Sequence, residues 1–253
     1  MLSQTILPAF ARALSMTLPA QVWYRSALMA SGVFAWLLRL SGRVSHPQRF
    51  EQAILLNRLL AFLTRTGVPF PVRWRWTAES DAVLDAAATS GRGLVICSAH
   101  LPLIKVAMRA LIETGRAPTV VIAAEPGPDG CIAVWGLRER LTALKVGPNV
   151  LLKARTELRN GGRVLLLVDT VKGEYSPNTF HLAAAMRATV LFFTAELQAD
   201  GHTAVRVFPP PWPACSNDDE ITANLKAIES SVKDISRAAG EDRFDRVPAS
   251  RLT

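Results

Sequence analysis

The stretch GRGLVICSAHLPLIK, residues 91–105, joins a glycine turn, a continuous apolar run, a histidine and the start of a second apolar segment. An apolar run between turn signals is typical of a strand that is buried on both faces. Pro102 is favoured at the beginning of a helix, and Gly115 at its end. The stretch therefore predicts a strand over 93–98 and a helix over 102–115, with His100 between them.

The rest of the chain repeats this alternation of apolar runs and helical patterns. Further strands are predicted over 119–124, 163–169, 189–197 and 203–208, with helices over 49–67, 79–89, 135–144, 153–160, 179–187 and 218–239. The alternating charges and tryptophans of RWRW (73–76) predict an edge strand. Strands and helices in this order predict an α/β fold, with a mainly parallel central sheet flanked by helices.

The N-terminal region, residues 1–44, is apolar but carries Arg12, Arg25 and Arg39. These arginines interrupt every window long enough to span a bilayer, and no signal-peptide pattern is present. Residues 22–40 fit two environments: a membrane interface, or the core as packed helices. We predict a docking region over 1–44, followed by one α/β domain over 45–253.

Composition narrows the choice of partners. The chain has 253 residues and a net charge of +8, which favours an anionic partner. No run of lysines and arginines is present, so nucleic acid is not expected. Cys97, Cys131 and Cys215 lack metal-ligand spacing and are interpreted as reduced thiols of a cytosolic setting. We predict neither a metal nor a redox cofactor.

His100 follows the predicted strand and precedes the predicted helix. In open α/β sheets this position, beyond the carboxyl end of a strand, is where ligands bind. Imidazole accepts a proton near neutral pH, and N–H groups at the start of a helix stabilise an oxyanion. This pairing suits acyl transfer to a hydroxyl group. A structural, hydrogen-bonded histidine is the alternative.

Three segments carry a recognisable order of features: GRGLVICSAH (91–100) has a turn, a strand and a small-small-His opening, LRNGGRVLLLVDT (158–170) is a glycine-glycine, apolar, Asp block, and NTFHLAAAMRATVLFF (178–193) follows it. In this order the segments resemble the lysophospholipid acyltransferase superfamily, in particular its lipid A late (lauroyl/myristoyl) acyltransferase branch. The resemblance runs in order over roughly 45–210.

The resemblance implies a glycerolipid-acyltransferase-like fold and a transferase at the cytoplasmic face of the inner membrane, bound peripherally, or in the cytoplasm. It implies transfer of a fatty (or aryl) acyl group to a hydroxyl acceptor. The co-substrate would be a thioester of acyl carrier protein or coenzyme A, and His100 would be the base. The alternative is a non-catalytic lipid- or carrier-binding protein on a degenerate fold.

One position departs from the family. The motif places an acid five residues after the histidine, where this chain has Lys105. A lysine cannot accept the imidazole N–H, and its charge disfavours imidazolium. Three explanations remain open: a carboxylate from elsewhere (Asp169, then Glu125, then Glu174), a Lys105 that binds an anionic substrate group such as phosphate, or a protein without chemistry.

The loop that follows Asp169, residues 168–180, adds the last candidates. In the family this loop helps to bind the acceptor and has an arginine near a glycine, for which Lys172 and Gly173 are the nearest equivalents. A solvated loop is the alternative. The predicted catalytic pair is His100 and Asp169. The predicted substrate-binding residues are Ser98, Lys105, Glu125, Lys172 and Glu174.

Overall fold

The structure, a computed structural model, describes residues 2–42, 48–123, 125–127, 129–169 and 174–238. The helices are α1 (Leu2–Thr17), α2 (Trp23–Leu40), α3 (Gln48–Thr64), α4 (Ser80–Thr89), α5 (Ile104–Glu113), α6 (Val150–Arg159), α7 (Asn178–Met186) and α8 (Asp218–Ala238). The strands are β1 (Trp74–Trp76), β2 (Leu94–Ser98), β3 (Thr119–Ile122), β4 (Cys131–Ala133), β5 (Arg140–Lys145), β6 (Arg163–Leu167), β7 (Thr189–Leu197) and β8 (Thr203–Phe208).

The strands form one mixed sheet of eight, in the order β1-β8-β7-β2-β6-β3-β5-β4. Five of the strand pairs are parallel, and two, β7 with β8 and β4 with β5, are antiparallel. Helices flank the sheet. The α/β fold with a mainly parallel sheet is therefore confirmed, and the last three residues of RWRW form the edge strand β1.

Strand β2 lies between β6 and β7, and helices cover both of its faces. Leu94 and Ile96 pack with α3 and α5, whereas Val95 and Cys97 pack with α7 and α8. All five residues of β2 are buried. Because both faces are covered, the strand is apolar throughout instead of alternating with polar residues.

The N-terminal helices pack on the domain with one side only. α2 buries Trp23, Tyr24 and Ala27, and the Tyr24 hydroxyl donates a hydrogen bond to the Gly201 carbonyl at 3.0 Å. Its other side exposes large apolar residues. The buried side fits the interpretation of packed helices, and the membrane interface stays a prediction for the exposed side. Among the described residues, no helix combines the length and apolar character needed to cross a bilayer.

The predicted helix over 135–144 is wrong. Residues 140–145 form β5, which pairs with β3 and with β4. Leu141 and Ala143 are buried while Arg140 and Thr142 are exposed, an alternation with the period of a strand. Gly136 has a positive φ of 68°, and its carbonyl accepts the Phe70 N–H, so the chain turns where the helix was expected.

Candidate functional site at the carboxyl edge of the sheet

The register between β2 and β6 brings the predicted catalytic pair together. Ser98 is aligned with Leu167 in this parallel pair. The Val168 N–H then donates to the Ser98 carbonyl at 2.8 Å, which continues the pairing past the strand ends. His100 follows Ser98 by two residues, and Asp169 follows Leu167 by two residues. The sheet thus aligns residues that are far apart in sequence.

Asp169 contacts both the backbone and the ring of His100. The His100 N–H donates to both carboxylate oxygens, at 3.0 and 2.9 Å. Nδ1 of the ring lies 2.8 Å from Oδ1. Because a carboxylate only accepts hydrogen bonds, this contact places the ring proton on Nδ1 and leaves Nε2 able to accept a proton. The Asp169 side chain is 11% exposed and the His100 side chain 34%, so the imidazole is reachable.

The turn between His100 and α5 is tight and apolar. The Leu101 N–H donates to the Ala99 carbonyl at 2.7 Å, and the Ile104 N–H donates to the Leu101 carbonyl at 3.4 Å. Leu103 is fully buried with a φ of 65°, a left-handed conformation that costs a non-glycine residue about 1–2 kcal/mol. The helix begins at Ile104 instead of Pro102. Two of the N–H groups near its start are thus used inside the turn.

The chain after Asp169 returns beside it. Asp169 and Tyr175 form an antiparallel bridge, and the Ser176 N–H donates to the Val168 carbonyl at 2.7 Å. Burial, together with the charges of Asp169 and Glu229, raises the pKa of Tyr175. The phenol is therefore neutral over the physiological range, and the Tyr175 backbone lies beside that of Asp169. Sequence reasoning did not identify Tyr175 as part of this site.

Ser98 and Cys97 lie directly below the histidine turn. The Ser98 side chain is buried, and among the described residues its hydroxyl has no hydrogen-bond partner. Strand alternation directs it to the face that carries Ile96. Cys97 is fully buried, and burial raises the pKa of its thiol well above the ordinary value. A thiol held protonated is a poor nucleophile, which fits a packing role for Cys97.

Lys105, the departure from the family motif, lies in the first turn of α5. Its ammonium lies 5.7 Å from the centre of the Trp135 ring. Burial, and secondarily the charge of Arg65, lowers the pKa of Lys105. No carboxylate in the described part of the chain forms an ion pair with it. The imidazole partner in this structure is Asp169, not a residue at position 105.

The remaining predicted residues are Glu125, Glu174 and Lys172, and only Glu125 has a partner that can be named. Glu125 forms an ion pair with Lys145, and both side chains are well exposed. The structure thus does not support Glu125 as the relocated carboxylate. Glu174 is exposed. Lys172 lies outside the described residues. Within those residues no group of three or more His, Cys, Asp or Glu side chains could hold a metal ion.

A cavity of about 640 Å³ lies beyond the carboxyl end of β7, between that strand and helices α2 and α3. Pro102, two residues after His100, forms part of its wall. Phe50 contributes apolar surface, and Arg49 and Glu196 contribute charges. Its volume falls within the roughly 300–1,000 Å³ of small-molecule sites. His100 itself does not line the cavity, which therefore adjoins the histidine turn without enclosing the ring.

No protein-family model and no curated protein matches the chain. The class of protein is therefore described by its fold and site alone. It is an α/β protein with a mainly parallel sheet and a His–Asp pair beyond the carboxyl ends of two neighbouring strands. Trp135, which contacts Lys105, and the cavity beside Pro102 are two further features near the histidine turn. Sequence reasoning missed them because they come from segments without a recognisable motif.

Proposed function

We propose that the protein is an O-acyltransferase of the lysophospholipid acyltransferase type, with a glycerolipid-acyltransferase-like fold. It transfers a fatty (or aryl) acyl group from an acyl carrier protein or coenzyme A thioester to a hydroxyl acceptor. The observation that carries the proposal is the 2.8 Å contact between Asp169 and Nδ1 of His100. This contact supplies the carboxylate that position 105 lacks.

The chemistry follows from the two nitrogens of the ring. Nε2 removes the proton from the acceptor hydroxyl as its oxygen attacks the thioester carbonyl. The ring is then positively charged, and the Asp169 carboxylate stabilises it at Nδ1. When the tetrahedral intermediate collapses, the C–S bond breaks, and Nε2 returns the proton to the departing sulfur. The products are an ester and a free thiol, and the histidine is regenerated.

The cavity beside the histidine turn supports binding of an amphiphilic substrate. Apolar residues such as Phe50 and Leu197 line it together with charged ones such as Arg49. An acyl chain or a lipid acceptor combines the same two characters. Because Pro102 forms part of its wall, a chain in the cavity would have its reacting end close to His100.

The exposed side of α2 supports peripheral binding at the cytoplasmic face of the inner membrane. Its apolar residues follow helical spacing on one side: Met29, Val33, Trp36, Leu37 and Leu40 are 66, 57, 50, 47 and 65% exposed. Arg25 and Arg39 are exposed on the same helix. An amphipathic helix with arginines beside its apolar side binds the interface of anionic bilayers.

Radiolabelled dodecanoyl thioesters of acyl carrier protein and coenzyme A, incubated with lipid extracts, test the transfer. Wild-type protein should move label into the lipid fraction, and His100→Ala should not. Undiminished transfer by His100→Ala would refute the proposed base. If no donor gives transfer while thioester or lipid still binds, the second candidate, a non-catalytic lipid- or carrier-binding protein, replaces the enzyme.

Vesicle sedimentation tests membrane docking. Deleting residues 1–44 is unsuitable because Trp23 and Tyr24 belong to the core. The variant Met29→Ser/Val33→Ser/Trp36→Ser changes only exposed positions and should lose most of its binding to phosphatidylglycerol vesicles. Leu151→Ser/Leu152→Ser changes exposed apolar residues of α6 and serves as the matched control. Equal sedimentation of the two variants would exclude α2 as the docking surface.

A further inference from the structure

One edge of β7 is open at its carboxyl end. β7 continues to Leu197, but its pairing with β2 ends at Phe192, which is aligned with Cys97. On its other edge β7 remains paired with β8 as far as Leu197. Residues 193–197 therefore extend past the end of β2, and within the described residues no strand covers their β2-facing side. We call this side of residues 193–197 the open edge.

The hydrogen bonds at the two ends of β7 show which backbone groups lie on the open edge. The Thr189 N–H donates toward β2, to the carbonyl just before that strand, at 2.9 Å. The Gln198 N–H donates toward β8, to the His202 carbonyl, at 2.8 Å. Successive residues of a strand direct their N–H and C=O groups to opposite edges. The odd-numbered residues of β7 therefore face β2, and on the open edge these include Ala195 and Leu197.

Ala195 and Leu197 place two N–H and two C=O groups on the open edge. Both residues are buried, at 4 and 3% exposure, and both line the cavity of about 640 Å³. In the described part of the chain, neither residue forms a hydrogen bond on this edge. Buried backbone groups are almost always paired, because an unpaired one costs free energy. The open edge therefore indicates a ligand that carries both donors and acceptors along an extended chain.

The open edge lies beside the histidine turn. Pro102, two residues after His100, lines the same cavity. His100 follows the last residue of β2 that pairs with β7 by three positions, and Ala195 follows the partner of that residue by three. If the parallel pairing continued, His100 and Ala195 would be aligned. An extended ligand on the open edge would thus have one end near the imidazole.

We propose that the open edge binds the two amide groups of the pantetheine arm of the thioester donor. This inference rests on the proposed function, in which acyl carrier protein or coenzyme A donates the acyl group, and both donors carry this arm. Pantetheine is a flexible chain with two secondary amides, which present two N–H donors and two C=O acceptors. An extended chain of amides that lies along a free strand edge forms the hydrogen bonds of an added strand.

The unpaired backbone groups distinguish this arm from the other occupants of the cavity. An acyl chain is apolar and would leave Ala195 and Leu197 without partners. The ester carbonyl of a lysophospholipid accepts hydrogen bonds but does not donate them. Pantetheine offers both, and the sulfur at its end carries the acyl group. The apolar lining residues, such as Phe50 and Ala53, remain available to the acyl chain.

Amide hydrogen exchange, measured by NMR with and without saturating pantetheine, tests the proposal. The N–H groups of Ala195 and Leu197 should exchange about tenfold more slowly with the ligand, because each gains a hydrogen-bond partner. The Gln198 N–H is already paired with the His202 carbonyl, so its exchange should stay the same and provides the internal control. Unchanged exchange at Ala195 and Leu197 would overturn the proposal.

A pair of variants tests whether pantetheine lies in this cavity. Ala199 is exposed and lines the cavity, so Ala199→Trp should place an indole ring in the path of the arm. Calorimetry should show binding weakened about tenfold or more, because the hydrogen bonds of the open edge are lost. Ala86→Trp, at an exposed position of α4, is the matched control and should bind as wild type. Equal binding by the two variants would overturn the proposal.

Two further ligands identify the chemistry that the open edge recognises. A pantetheine analogue methylated on both amide nitrogens cannot donate hydrogen bonds and should bind about tenfold more weakly. Equal binding of the analogue would exclude strand-like pairing and overturn the proposal. If a lysophospholipid slows exchange at Ala195 and Leu197 and pantetheine does not, the open edge belongs to the acceptor and the assignment to the donor arm is wrong.

The failure of this inference and the failure of the proposed function give different results. If pantetheine slows exchange at the open edge but no donor gives acyl transfer, the transferase is wrong and the open edge stands. If wild type transfers the acyl group and pantetheine leaves exchange unchanged, only the open edge is wrong. His100→Ala should retain pantetheine binding, because His100 does not line the cavity.

Discussion

Two histidine–aspartate pairs occur in the described part of this molecule. One lies in the candidate functional site and the other in a surface turn, and the comparison shows which features distinguish them. Nδ1 of His100 lies 2.8 Å from Asp169, and Nδ1 of His202 lies 3.4 Å from Asp200. The two imidazoles are almost equally exposed, at 34 and 35%. Exposure of the ring therefore does not distinguish them.

The carboxylates differ much more than the imidazoles. Asp169 is 11% exposed and binds the backbone and the ring of the same histidine, 69 residues away. Asp200 is 46% exposed, is two residues from its histidine in the β7–β8 turn, and also pairs with Arg75 at 3.2 Å. A shielded carboxylate stabilises an imidazolium strongly, whereas a solvated and shared one does so weakly.

Replacing each histidine by alanine should give the largest difference between the two pairs, measured as the rate of acyl transfer. His100→Ala should lower the rate of acyl transfer by about a thousandfold or more, in the upper part of the range for a lost general base. His202→Ala should leave the rate within about twofold, since this ring has no role in the proposed chemistry. The measurement is the initial rate of acyl transfer from the radiolabelled thioester, compared between variants whose midpoints of thermal unfolding are the same. Similar losses in both variants would end the distinction between the pairs.

Replacing the aspartate of each pair by asparagine should change kcat less than replacing the histidine. In Asp169→Asn an amide oxygen can still accept the His100 N–H, but the negative charge beside the ring is lost. We expect kcat to fall about a hundredfold with KM little changed, because imidazolium forms only during the reaction. Asp200→Asn is the counterpart and should retain full kcat. A normal rate in Asp169→Asn would show that the histidine works without its partner.

The smallest expected effect is on the stability of the fold, and it comes from Asp200 in the β7–β8 turn. The hydrogen bond from the His202 N–H, and then the charge of Arg75, lowers the pKa of Asp200. A lowered folded-state pKa means that the fold favours the carboxylate. This stabilisation is present above the ordinary Asp pKa and disappears as the pH falls through the lowered value.

Urea midpoints of wild type and Asp200→Asn should therefore differ slightly at neutral pH and converge in acid. The difference is small because the carboxylate is solvated. A constant difference down to the most acidic pH would contradict the assigned cause. His202→Ala, which retains the backbone N–H, should keep most of the pH dependence.

Much of the fold was predictable from local patterns. No charged residue interrupts the apolar run of β2, and glycine and histidine bound it. The presence of a strand and its place in the chain could therefore be predicted from this segment alone. The helix predicted over 135–144 failed because β5 is stabilised by its neighbours β3 and β4, and partner strands leave little trace in a short segment. The same limit hid the contact of Lys105 with Trp135.

Apart from β4 and β5, the sequence by itself determined the order of strands and helices, the apolar core and the place of His100 at a strand end, because these depend on local periodicity and turn residues. Only the tertiary structure decided among Asp169, Glu125 and Glu174 as the imidazole partner. That choice depends on the parallel register of β2 and β6, which aligns Ser98 with Leu167. An alternating apolar pattern helps to fix register, but β2 is buried on both faces and does not alternate, so hydrogen bonds and packing between distant segments decide it.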